Sequence, residues 1–196
     1  MTAPTAAKPD GRVARRQGTR ELIMDAATRL FAARGVTSTS IDDIAASAGI
    51  AKGSIYYNFE SKAGLVEAIM ARSGEILAGA LATATTGRSG VALRAEVVRA
   101  LLWLVREHTF EARVMVTELF RTERSWRESI EAWRAIALAP LVADLEASGV
   151  EAGQARVRAA SIVGATLMAG LEWLVFHPEY SHEEVAAAVL DTLGSR

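Results

Sequence analysis

The chain has 196 residues, 51% hydrophobic and 23% charged, with 4 Pro, 15 Gly and no Cys, which is room for one large or two small domains and excludes disulfides, thiolate metal sites and cysteine catalysis. A net charge of −1 argues against an indiscriminate nucleic-acid coat protein, yet residues 1–72 carry ten Lys and Arg against seven Asp and Glu, +3, leaving −4 for the remainder. The basic end is therefore where phosphate contacts would be wanted.

Ala, Leu and Val recur throughout and few prolines interrupt them, so a nearly all-helical fold of about nine helices without strands is expected. Arg, Glu or Asp breaks each apolar stretch, including Ser161 to Phe176, before the roughly 18 residues needed to span a bilayer. The basic residues Lys8, Arg12, Arg15 and Arg16 are not followed by the apolar run of a secretory signal. A cytoplasmic protein without a membrane partner is the expectation.

Residues 1–17 mix Pro, Gly and basic side chains without periodicity and read as a flexible basic arm. From Arg20 a helical pattern begins, with Leu22, Ala26 and Leu30 in one row and Ile23, Ala27 and Phe31 in the next; Gly35 ends it. Ser40 and Asp43 have capping-box spacing ahead of a short helix with Ile41, Ile44, Ala45 and Ala48 on its apolar side, and Gly49 stops it. A further short helix is expected over Lys52 to Asn58. Ser61 then caps a fourth, over about 61–81, that links a domain over 18–64 to one over 65–196.

Thr83 to Gly90 reads as a loop. Beyond it the pattern predicts helices over about 91–108, 111–122, 125–148, 153–176 and 182–193. Ser125 with Glu128, and Ser181 with Glu184, have the spacing of N-terminal caps, and Pro140 is expected to kink or split the longest of these helices.

Ile41 to Asn58 meets the demands of a helix-turn-helix. Two helices that cross closely need a small residue at the crossing and a glycine where the turn passes through positive φ, and Ala45 and Gly49 supply these. Ile44, Ala48, Ile50 and Ile55 fall where they can pack the pair onto the first helix, leaving Lys52, Gly53, Ser54, Tyr56 and Tyr57 facing outward to enter a major groove. Lysine suits a guanine edge or phosphate, serine a base edge or phosphate, and tyrosine a phosphate or thymine methyl. Lys62 can reach a phosphate from the side. Arg12, Arg15 and Arg16 are either a solvated tail or a minor-groove or phosphate contact.

The run Thr39-Ser40-Ile41-Asp42-Asp43-Ile44-Ala45, then Ala48 through Phe59, then Ser61-Lys62 and Leu65, resembles the DNA-binding head of the tetracycline-repressor-like (TetR) family over about residues 17–70. The resemblance implies DNA contacts by Ser40, Lys52, Gly53, Ser54, Tyr56, Tyr57, Asn58 and Lys62. Three residues depart from the family pattern. Asn58 stands where histidine is common, Ala51 where serine or threonine often caps the reading helix, and Asp42 where a basic residue is frequent.

In the second domain Trp103, Phe110, Met115, Phe120, Trp126, Trp133, Met168 and Trp173 supply bulky apolar surface, with Glu118, Arg121, Thr117, His108 and His177 as polar candidates. Each apolar residue fits a core, and together they fit an effector cavity for a hydrophobic or amphipathic molecule. Small residues among large ones on the 153–176 helix, with the last helix, point to a homodimer seam through Gly164, Leu167, Leu171, Val185 and Val189; an intrachain core is the alternative.

No phosphate loop, nucleophile motif or metal-site spacing among His108, His177 and His182 is visible, so no catalytic residue, metal or cofactor is expected. The leading expectation is a dimeric repressor on a palindromic operator, released by a small ligand. The alternatives are a regulator without a small-molecule inducer, and a helical small-molecule-binding protein or enzyme.

Overall fold

A computed structural model describes residues 11–119 and 126–194, and among these every regular element is an α-helix. They divide into two compact units between Leu65 and Val66. The first holds α1 (Gly11–Arg34), α2 (Ile41–Ala48), α3 (Lys52–Asn58) and the start of α4 (Lys62–Thr85). The second holds the rest of α4 with α5 (Gly90–Glu107), α6 (Thr109–Leu119), α7 (Arg127–Ala147), α8 (Ala152–Phe176) and α9 (His182–Thr192).

In the first unit, Ile23, Ala27 and Phe31 of α1, Val36 of the following turn, Ile44 and Ala45 of α2, and Ile55 and Phe59 around α3 are buried. The two-row pattern of α1 thus splits. The Ile23 row is in the core, whereas Leu22 is 47% exposed at one end of the other row. Helix α1 also begins earlier than its apolar pattern does, at Gly11, so residues 11–17 are helical where an arm was expected. Helix propagation explains this: once a packed segment has nucleated a helix, Arg, Val and Ala ahead of it extend it at little cost.

Local signals set the ends of the short helices. Ser40 accepts from the Asp43 N–H while the Asp43 carboxylate accepts from the Ser40 N–H, a reciprocal box that fixes the start of α2. At the other end Gly49 has φ +66°, and the Ile50 N–H reaches back to the Ala45 carbonyl at 3.1 Å. An L side chain is disfavoured there, so the turn into α3 depends on this glycine.

In the second unit, α5 lies against α8, α9 and α7, and Val97, Val98, Leu101 and Leu102 are 1% exposed or less in its core. The buried Asp144 carboxylate of α7 accepts from the Gly90 N–H, the first of α5, and lies 3.7 Å from Arg94 Nε. That places negative charge at an otherwise unsatisfied helix N-terminus.

Three further helices differ from the sequence expectation. Helix α4 runs to Thr85, absorbing part of the anticipated loop, because Thr83 and Thr85 donate to carbonyls of their own helix, Gly79 and Leu81, instead of capping a turn. Helix α7 passes through Pro140 without being divided. Its first turn follows Trp126, with no side-chain cap, and Ser125 lies outside the described residues. Helix α8 is long and apolar enough by composition to cross a membrane, against the expectation that charges interrupt every such run. Here 33% of that stretch is buried inside the fold, and the helix packs against α5 and α7.

Candidate nucleic-acid interface and ligand cavity

Helix α3 is held from inside by Ile55, which is fully buried, and by Phe59 at its C-terminus. This leaves Lys52, Gly53, Tyr56 and Tyr57 exposed and Ser54 and Asn58 half-buried. Tyr57 is 73% exposed and Tyr56 49%, so neither is a core aromatic. Ala51, the residue ahead of the helix, is extended (φ −71°, ψ 142°) and gives no side-chain cap.

Arg20 of α1 positions this helix. Its guanidinium donates to the Asn58 carbonyl at 2.8 Å and sits 4.2 Å from the centroid of the Phe59 ring. One arginine therefore satisfies the end of α3 and covers the aromatic that anchors it. Periodicity placed Arg20 at the start of a helix but gave no sign of this role, because its partners lie 38 residues on.

Several residues expected at the interface are engaged within the chain. Lys62 Nζ donates to the carbonyls of Val36 (3.0 Å), Thr39 (3.1 Å) and Thr37 (3.4 Å), closing the turn between α1 and α2. An ammonium has three donors, so Lys62 acts here as a positioning residue and not as an open phosphate contact. The Ser40 hydroxyl is committed to Asp43, which it approaches to 2.6 Å, and these bonds hold the Asp43 carboxyl below the usual carboxylate range. The Asn58 amide nitrogen donates to the Ser54 carbonyl at 2.8 Å.

Lys52 is paired with Asp42, Nζ lying 2.9 Å from Oδ1 and 3.0 Å from Oδ2. The hydrogen bond and the charge of Asp42 raise the lysine above its ordinary range. The Asp42 carboxylate of α2 thus meets the lysine at the start of α3.

Between α1 and α3 lies an open cleft. Arg15, Arg16 and Thr19 line one side and Gly53, Ser54, Tyr57 and Asn58 the other. The Arg16 guanidinium stands 5.3 Å from the centroid of the Tyr57 ring. Of the arm arginines, Arg15 and Arg16 are therefore set beside the reading helix; nothing in the sequence around them fixes that neighbour.

The second unit holds an apolar cavity lined by α4, α5, α6, α7 and α8, including Leu77, Leu101, Val105, Met115, Trp133 and Leu167. Its volume open to the centre of a water molecule is about 50 Å³. Its polar lining comes from Ser73, His108 and Glu111. The buried Ser73 hydroxyl has no hydrogen-bond partner among the described residues, and Glu111 is 3.5 Å from Arg72.

Of the anticipated ligand-binding residues, Met115 and Trp133 line this cavity. Trp103, Phe110 and Met168 are 48%, 46% and 63% exposed and lie outside its lining. Trp173 is a core residue whose Nε1 donates to the Tyr180 carbonyl at 2.9 Å. Trp126 and Glu118 are buried elsewhere than in the lining, and Phe120 lies outside the described residues. Bulk and aromaticity mark apolar surface, whereas the lining follows from which faces converge, so mainly aliphatic residues such as Leu77 and Leu101 form it.

The anticipated seam residues also divide. Val185 and Val189 are in the intrachain core with α5, Leu167 lines the cavity, Leu171 is half-buried and Gly164 is exposed. What α8 leaves uncovered includes Val157, Gly164, Ala165, Met168, Val175 and Phe176, of which Gly164 and Met168 are among the residues anticipated from the sequence, with Ser161 and Glu172 exposed among them.

Residues 23–69 match the model of the bacterial regulatory proteins, tetR family. The repressor KstR2 of Rhodococcus jostii is 41% identical over 70 residues, 36% of this chain and 32% of KstR2. The chain thus aligns with about a quarter to a third of the length of the curated relatives it matches. A TetR-like transcriptional regulator from Rhodococcus superposes with a TM-score of 0.75 at 25% identity, covering 90% of this chain and 93% of that one. The regulator FadR of Bacillus subtilis, crystallised with stearoyl-CoA, superposes with a TM-score of 0.71 at 21% identity, covering 88% and 96%.

Proposed function

We propose, for a chain that belongs through residues 23–69 to the tetR family of bacterial regulatory proteins, that the whole protein is a homodimeric repressor which reads a palindromic operator and is released by a small apolar or amphipathic ligand. The observation that carries this reading is the presentation of α3. Ile55 and Phe59 anchor it while Lys52, Gly53, Tyr56 and Tyr57 face outward, which is the arrangement a reading helix needs to enter a major groove.

The uncovered apolar residues of α8, with the exposed Ala187 and Ala188 of α9, support dimerisation. Exposed large apolar side chains such as Met168, Val175 and Phe176 on one helix are the kind of surface a partner covers, and a two-fold axis lets one face serve both subunits. Two heads on a dimer would read half-sites roughly 34–36 Å apart. The mainly aliphatic cavity, with the Ser73 hydroxyl unpartnered among the described residues, supports an apolar ligand carrying a hydrogen-bonding group. FadR, with the same fold, holds stearoyl-CoA. Such a ligand releases DNA only to the extent that it prefers the non-binding conformation.

The test is a mobility-shift assay of the full chain on DNA flanking its own gene, followed by titration with acyl and aromatic compounds. A retarded band that a compound abolishes is expected. No retardation at low salt on any flanking fragment would overturn the reading. A regulator without a small-molecule inducer is the second reading, favoured by the narrowness of the free space, about 50 Å³; retention of DNA binding with every compound would select it.

A further inference from the structure

We infer that the cleft between the first turns of α1 and the reading helix α3 is the main DNA-phosphate site of the head, and that Asp42 withdraws Lys52 from that role. This rests on the DNA-binding reading above and specifies which charges carry it.

Arg15 and Arg16 are exposed, and neither has a carboxylate within ion-pairing distance among the described residues. The Arg16 guanidinium lies 5.3 Å from the centroid of the Tyr57 ring, within cation–aromatic range. A guanidinium presents a planar fork that matches phosphate oxygens. Tyr57 and Ser54, across the same cleft, offer hydroxyl donors to the same anion.

Gly53 supplies an independent indication. It is the second residue of α3, and a Cβ there would meet nothing within 4 Å. No packing among the described residues requires a glycine at this point, and its bare backbone leaves room for a close approach from outside.

Lys52, the cation that residue type alone would choose, is in a different state. Both oxygens of Asp42 lie at 2.9 and 3.0 Å from its ammonium. A phosphate approaching Lys52 must displace that carboxylate or bear its repulsion, so the net charge offered to the backbone by this pair is close to nil. The sequence-blind part of DNA binding, which arises from counterions released by phosphate neutralisation, then falls to the α1 arginines.

Salt dependence reads this directly. Binding of the full chain to a short duplex of unrelated sequence is followed by fluorescence anisotropy over a range of KCl, and log K is plotted against log salt. Replacing both arginines (R15Q/R16Q) is expected to flatten the slope by about 1.8 per head, about 0.9 for each lost phosphate contact. Asp42→Asn frees Lys52 and is expected to steepen it by about 0.9 per head.

An unchanged slope in a folded R15Q/R16Q protein, or in the Asp42→Asn protein, overturns the inference while leaving the DNA-binding reading intact. Failure of the wild-type chain to bind any duplex at low salt overturns both. Helix content from circular dichroism shows whether the double variant is folded. If it is not, the Asp42→Asn protein, altered at an exposed position, decides.

Discussion

The guanidinium of Arg20 lies 4.2 Å from the centroid of the Phe59 ring, so α1 holds the residue that closes α3. A second bond from the same group, to the Asn58 carbonyl, makes the contact directional. The orientation of α3 is thereby set from α1 as well as through the turn at Gly49.

We predict that Arg20→Ala lowers the stability of the head by about 1–2 kcal/mol, the sum of a charge-assisted hydrogen bond and a cation–aromatic contact discounted for partial exposure. Lysine, a point charge without the planar fork, should recover only part of this. Chemical denaturation followed by the signal of the head tests it; equal midpoints for wild type and Arg20→Ala would show that the contact contributes nothing.

Ala51 is extended, as an N-cap residue must be, but lacks an oxygen for the first N–H groups of α3. Ala51→Ser should stabilise the head by about 0.5–1 kcal/mol, seen as a higher midpoint in the same denaturation. A lower midpoint would mean that the hydroxyl cannot reach the helix end.

Gly170 lets α8 approach α5 closely. A Cβ there would lie 3.1 Å from Val105 Cγ1 and 3.3 Å from Leu102 Cδ2, and neither side chain has solvent to move into, at 1% and 0% exposure. Gly170→Ala should therefore destabilise the second unit by about 1–2 kcal/mol, overpacking outweighing the gain in helix propensity. A rise in thermal midpoint would contradict it. At Gly164, also in α8, nothing lies within 4 Å of the added atom, so Gly164→Ala is the matched control in the isolated subunit.

The two capping boxes impose a pH dependence. Hydrogen bonds from Ser40 hold the Asp43 carboxyl below its ordinary range, and those from Ser181 do the same for Glu184. A carboxylate whose folded pKa is depressed stabilises fully above the unfolded value and loses that contribution as the pH falls through the folded value. The helix starts at Ile41 and His182 should accordingly loosen on acidification below the ordinary carboxylate range and not near neutrality. Amide hydrogen exchange at the first turns of α2 and α9 checks this, and protection that is flat with pH down through that range would exclude it.

Short-range chemistry made much of the fold legible in the sequence. Ser40 with Asp43, Ser181 with Glu184, and Gly49 act within a few residues of themselves, so their spacing alone located α2, α9 and the turn into α3. Ile55 and Phe59 were readable as anchors for the same reason: on a helix this short, apolar residues four apart share one face. The family resemblance also marked Asp42 as a departure, and that carboxylate is the partner of Lys52.

What the linear chain could not decide was which of several equivalent groups finds a partner elsewhere. Lys52, Lys62, Arg16 and Arg20 are alike as cations, but the tertiary structure pairs the first with a carboxylate, ties the second and fourth to backbone carbonyls, and leaves the third beside an exposed tyrosine. In the same way, periodicity put Val185, Val189 and Met168 on apolar faces without saying which face another helix of the same chain covers. Caps and turns are local and hence encoded locally; the availability of a charge or an apolar face depends on neighbours brought from far along the chain, and only packing determines it.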